Sequence, residues 1–187
     1  MKTPRILFFS KPTDGQIHPF MTTDSFSLNE AVVLQGGKGN DVMQNTKQSD
    51  VTYKWVKDDA GETDGSSAID YIQDFKTKTD PTATHFDKLD ISALLQGFNA
   101  QTSNLSDWIT DITVAKLSAY DTSNTTTFTI AVNGPDQDPD DDPDKYVWIK
   151  QEIMLEQVDI FSGLNLAADA TLLDQLGALK TAGILIA

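Results

Sequence analysis

The chain has 187 residues, enough for one sizeable domain or two small ones but too few for several independent cores. Acidic residues outnumber basic ones 28 to 14, a formal charge of −14, so nucleic acid and anionic membranes are disfavoured partners and cations the natural ones. Cysteine is absent, which excludes disulfides, zinc thiolate sites and a cysteine nucleophile.

Such a charge can do no more than keep a surface soluble. Here, however, Asp dominates over Glu and sits beside Gly, Asn and Pro, where short carboxylates on turns make good ligands for hard cations.

The N-terminal apolar run around Ile6, Leu7 and Phe8 is too short for the core of a signal peptide, and no stretch approaches the roughly 20 apolar residues that span a bilayer. Membrane insertion is not expected, and export would have to be directed from the other end of the chain. Residues 1–34 mix Pro, Thr, Asp and Gly without periodicity and read as a linker or edge segment.

The segment Gly36-Gly37-Lys38-Gly39-Asn40-Asp41-Val42-Met43 is the sharpest local signal. Glycines permit positive φ, so the carbonyls of Gly36 and Lys38 can turn inward while the Asp41 carboxylate completes an oxygen shell. A chance glycine turn before a strand has the same appearance. A phosphate loop fits poorly, because no Gly-Lys-Ser/Thr ending and no helical pattern follow.

From Val51 the pattern becomes that of half-buried strands. Val51, Tyr53 and Trp55 alternate with polar residues, and residues 69–72, 112–114, 128–132, 146–149 and 153–160 give further strands. Residues 92–96 have the look of one or two helical turns that Gly97 stops. Short strands separated by Asp, Asn, Thr and Gly turns argue for a mainly β architecture.

Residues 134–144 carry prolines and dense like charge, which cannot pair in a sheet and must form a loop. Asp136, Asp138, Asp140, Asp142 and Asp144 alternate there as in an EF-hand, but Asp141 stands at the glycine position and Val147 at the final Glu position. A solvated acidic loop and a calcium site both fit. Further on, Leu172, Leu173, Leu176 and Leu179 predict an amphipathic helix over residues 169–180, followed by an apolar tip.

His18 and His85 have neither metal nor triad spacing and are expected on the surface or in turns. Trp55, Trp108 and Trp148 suit core packing better than a ligand groove. With no G-x-S-x-G elbow and no H-E-x-x-H helix, no catalytic residue is expected, and the chain is read as something other than an enzyme.

Several segments in order carry a family resemblance. After the glycine-rich turn come Asp70-Tyr71-Ile72-Gln73-Asp74-Phe75, then Asp87-Lys88-Leu89-Asp90-Ile91-Ser92-Ala93-Leu94-Leu95, and later Ile153-Met154-Leu155-Glu156-Gln157-Val158-Asp159. The series resembles the C-terminal region of RTX proteins exported by type I secretion, whose calcium-binding repeat has the form G-G-x-G-x-D-x-U-x. Phe86 and Gln157 stand where that family usually has glycine, and only one repeat copy is present.

The resemblance implies a calcium-stabilised β-roll remnant or β-sandwich over residues 35–165, with short helices and a C-terminal helix. Residues 166–187 would be the export signal, the type I secretion apparatus the partner, and the extracellular space or cell surface the location. Calcium ligation is implied at Asp41, Asp74 and Asp87, and at Asp70 and Asp90. Asp90 also has the position of a cap before Ser92. The function implied is a calcium-dependent structural and export module; the alternative is a calcium-dependent adhesin domain that binds a host or cell-surface ligand.

Overall fold

A computed structural model describes residues 5–8 (as backbone), 32–45, 49–61, 65–119, 121–132, 134 and 149–187. It is mainly β, with ten strands in two sheets and one α-helix among the described residues. The strands are β1 (Arg5–Phe8), β2 (Val32–Gln35), β3 (Val42–Gln44), β4 (Val51–Lys54), β5 (Ser67–Gln73), β6 (Lys88–Asp90), β7 (Ile109–Ala115), β8 (Thr125–Ala131), β9 (Lys150–Leu155) and β10 (Leu185–Ile186).

One sheet has the order β1-β2-β4-β6-β10 and is parallel throughout. The other has the order β3-β5-β9-β8-β7, parallel between β3, β5 and β9 and antiparallel from β9 outward. From β2 to β6 each strand enters the sheet opposite its predecessor, so two strands make a coil and the next coil lies beside it. The expected edge segment supplies an edge strand, β1, and the start of this winding at β2.

Alternation of side chains sets which face turns inward. Leu34, Tyr53, Leu89 and Leu185 lie in register across four parallel strands and are all buried. Met43, Ile72 and Leu155 form the matching row on the second sheet, continued by the buried Thr126. Phe128, Ile130 and Ile153 fill the space between, so one core lies between the two sheets. Trp55 and Trp108 are part of it, as their packing role requires; Trp148 lies outside the described residues.

Some local expectations differ from what forms. Residues 92–95 make consecutive turns rather than a helix, with Leu94 and Leu95 buried and Gly97 at φ 79°. The strand expected to reach residue 160 ends at Leu155, because the chain turns at Gln157, whose φ is 59°. That is the conformation a glycine adopts without strain.

The C-terminal helix α1 (Leu172–Thr181) begins at a capping box in which Thr171 and Asp174 bond reciprocally. Its Leu176 and Leu179 are buried, and β10 then pairs with β6. Residues 172–187 are thus built into the core and the first sheet rather than set apart.

Candidate functional site

The glycine-rich turn leads from β2 in one sheet to β3 in the other. Gly37 and Gly39 have φ of 98° and 90°, which L side chains resist, so the glycines are needed here. Asp41 folds back over Gly36, where an added Cβ would come 2.8 Å from Asp41 Oδ2. The corresponding turn of the next coil stacks on it: Gly39 N–H donates to the Asp59 carbonyl at 3.2 Å. Asp59 is buried, its Oδ2 accepts Val56 N–H at 2.7 Å, and burial raises its pKa, with the charge of Lys38 acting in the opposite direction.

Asp70 lies on the inner face of β5, two residues before Ile72, with no solvent exposure. Its Oδ1 accepts the backbone N–H of Asp41 at 2.8 Å; its Oδ2 accepts Trp55 Nε1–H at 2.6 Å and the Gln151 amide at 3.1 Å. Burial pushes its pKa up to about 7 against the pull of these donors, and the charges of Asp41 and Asp59 add to the rise. The carboxyl group ties β5 to the turn before β3, to the end of β4 and to β9.

Asp87 does the same work at the opposite turns. Its Oδ1 accepts Val51 N–H at 3.1 Å and the Asn45 amide at 3.3 Å, and its Oδ2 accepts Lys76 N–H at 3.0 Å. Burial also raises its pKa to about 7. Tyr53, fully buried, has its hydroxyl pKa raised by burial and then by the charges of Asp87 and Asp74. His85 sits in a turn as expected but is buried there, and desolvation lowers its pKa.

The expected ligands therefore fall into two groups. Asp41 and Asp70 meet where the chain enters the second sheet; Asp74 and Asp87 lie where it leaves. Asp74 is exposed at φ 60°, and its Oδ2 accepts the Gln44 amide at 2.6 Å. Asp90 acts as a local cap, accepting Ser92 N–H at 3.2 Å and Ser92 Oγ–H at 2.6 Å, with Lys54 Nζ at 3.8 Å. Asp136, Asp138 and Asp140 lie outside the described residues, as does His18.

Among the described residues no three His, Asp or Glu side chains gather closely enough to hold a metal ion by themselves. Asp70 and Asp87 are instead engaged by protein donors. An open cleft of about 550 Å³ lies at the ends of β3, β5 and β9, lined by Gln44, Gln73, Asp74, Asp80, Glu156 and others. Gln73 donates to Glu156 Oε2 at 2.7 Å within this lining.

Asp59, Gln151 and His85 were not among the expected site residues. Gln151 had a legible signal: it shares strand parity with Ile153 and Leu155, so it had to face inward and find a polar partner.

No protein family, curated protein or solved structure matches the chain. Among the described residues no helix is long and apolar enough to cross a membrane.

Proposed function

We propose that this chain is a calcium-stabilised, non-catalytic extracellular module of RTX type, a short β-roll that serves as a structural and export domain. The observation that carries the reading is the winding itself. A glycine turn with two positive-φ glycines joins strands that alternate between the two sheets and pair in parallel within each, and the next turn, bearing Asp58 and Asp59, stacks against it. Stacked turns of this kind bring carbonyls and carboxylates of successive coils together, the all-oxygen surroundings that calcium takes.

In this reading Gly36 and Lys38 offer carbonyls and Asp41 its carboxylate. Asp70, Asp74 and Asp87 support the coil junctions, and the acidic segment containing Asp136, Asp138 and Asp140 adds a further cation-attracting stretch. Calcium bound only to the folded state adds its binding free energy to folding, which substitutes for disulfides the chain lacks. The type I secretion apparatus would read the C-terminal residues. The test is isothermal titration with calcium on the parent and on Asp41→Ala, in which the variant is predicted to lose at least one site.

The cleft at the ends of β3, β5 and β9 favours a second reading, a ligand-binding domain of an adhesin. Its size suits a small ligand, and its lining offers amides, hydroxyls and carboxylates. Glycan-array binding that requires calcium and is lost in Glu156→Gln would support it; no retained glycan would count against it.

A further inference from the structure

The open cleft of about 550 Å³ at the ends of β3, β5 and β9 has a lining that selects among ligands. Its wall continues the strand register. The buried row Met43, Ile72 and Leu155 is followed, one residue further along each strand, by Gln44, Gln73 and Glu156. Alternation turns this second row away from the core, and two strand spacings, about 10 Å, separate its outer members.

Hydrogen bonding within the lining spends donors and leaves acceptors. Gln44 gives an amide N–H to Asp74 Oδ2 at 2.6 Å, and Gln73 gives one to Glu156 Oε2 at 2.7 Å. An amide that donates to a carboxylate points its carbonyl elsewhere, and among the described residues no donor reaches Asp74 Oδ1 or Glu156 Oε1. The Thr77 and Thr79 hydroxyls bond each other at 2.8 Å, and Asp80 holds the ammonium of Lys76 at 3.2 Å.

Charge acts in the same direction. The carboxylates of Asp74, Asp80, Glu156 and Asp159 line the cleft against the single ammonium of Lys76, a net charge of −3, so an anion is repelled. A neutral polyol presents acceptors as well as donors and finds few donors to answer it. A metal ion has no shell here, since among the described residues no three acidic side chains converge. An elongated organic cation avoids that requirement. Each ammonium group brings up to three N–H donors to one carboxylate, and the methylenes between have Phe75, Pro81 and Val158 to rest on. Asp74 and Gln157, the two non-glycine residues with positive φ among those described, both line the cleft, and backbone held in this way concentrates at ligand sites.

We propose that this cleft binds a linear aliphatic polyamine, with ammonium groups paired to Asp74 and Glu156. The proposal goes beyond the adhesin reading: it shares the cleft but requires neither calcium nor a glycan.

The experiment is isothermal titration of the full chain with spermidine in the presence of chelator. The expected result is one spermidine per chain, bound more weakly as salt is added. Affinity should fall about three- to fivefold in Glu156→Gln and in Asp74→Asn, the latter chosen because Asn also tolerates positive φ. Asp111→Asn, an exposed carboxylate on β7 outside the cleft, should bind as the parent does. In the parent itself, spermidine should shift the side-chain amide NMR signals of Gln44 and Gln73, and butylamine, with one ammonium, should bind at least about threefold more weakly. An equal loss in Asp111→Asn, butylamine binding as tightly as spermidine, or unshifted glutamine amides would overturn the proposal. Calcium-dependent glycan retention without spermidine binding would overturn it and leave the adhesin reading standing; spermidine binding in chelator with no glycan retained would support it and count against that reading.

Discussion

The indole N–H of Trp55 donates to Asp70 Oδ2 at 2.6 Å where neither side chain is exposed to water. This bond crosses the core, from the end of β4 in one sheet to the inner face of β5 in the other. Asp70→Ala would take the shared acceptor from the Trp55 indole and the Asp41 N–H and leave the Gln151 amide with the Glu152 carbonyl, at about 1–3 kcal/mol for each group left unsatisfied. Urea unfolding should therefore show a loss of at least about 2 kcal/mol, and Trp55→Phe a smaller one.

Asp70 and Asp87 also set a pH dependence. Both carboxyls are raised from 3.8 to about 7 in the fold, chiefly by desolvation, so between those pH values the folded state binds more protons than the unfolded one. Their contribution is fully present below the unfolded pKa and is lost as pH rises through the folded pKa. In chelator the melting temperature should fall from pH 5 to pH 8, each group contributing on the order of 3 kcal/mol across that window. A calcium ion near Asp70 would favour its ionised form, so calcium is predicted to stabilise more at pH 8 than at pH 5. Melts at the two pH values, with and without calcium, check both signs.

Gln157 is exposed and held at φ 59° just past β9. Gln157→Gly relieves a left-handed conformation that costs a non-glycine residue about 1–2 kcal/mol, less the extra freedom glycine gains in the unfolded chain. The expected outcome is a net stabilisation of about 0.5–1 kcal/mol in urea unfolding.

The C-terminus is predicted to matter to folding as well as to any export role. Leu89 N–H donates to the Ile184 carbonyl at 2.8 Å and Ile91 N–H to that of Ile186 at 3.1 Å. Leu176→Ala empties a fully packed position and should cost about 2–5 kcal/mol, read by urea unfolding. Deleting residues 172–187 should cost more still, so secretion assays of such truncations need a parallel measurement of folding.

Much of the β architecture was legible because the period-2 pattern survives in β4, β5 and β8, where buried and less buried side chains alternate along most of each strand. The capping box at Thr171 and Asp174 likewise lies close to the start expected for the helix. The parallel stacking was less legible. Pairs such as Tyr53 with Leu89 join residues far apart in sequence, and alternation alone does not say which strand lies beside which. The roles of Asp70 and Asp87 were readable only in part: an acidic residue in a strand or turn motif carries no mark of the donors that will surround it. Trp55, Gln151 and Val51 become those donors only after the two sheets close.

Calcium is predicted to stabilise this winding. The most direct measurement is thermal unfolding of the full chain, followed by circular dichroism, across a calcium titration from chelator to millimolar ion, with Asp41→Ala alongside. The melting temperature of the parent should rise with calcium through about the 10⁻⁴ to 10⁻³ M range, in line with ordinary binding linkage. The rise should be smaller in Asp41→Ala. A melting temperature that stays constant across the titration of the parent would contradict it, leaving the acidic residues as a solvated surface and the buried carboxylates as structural ties alone.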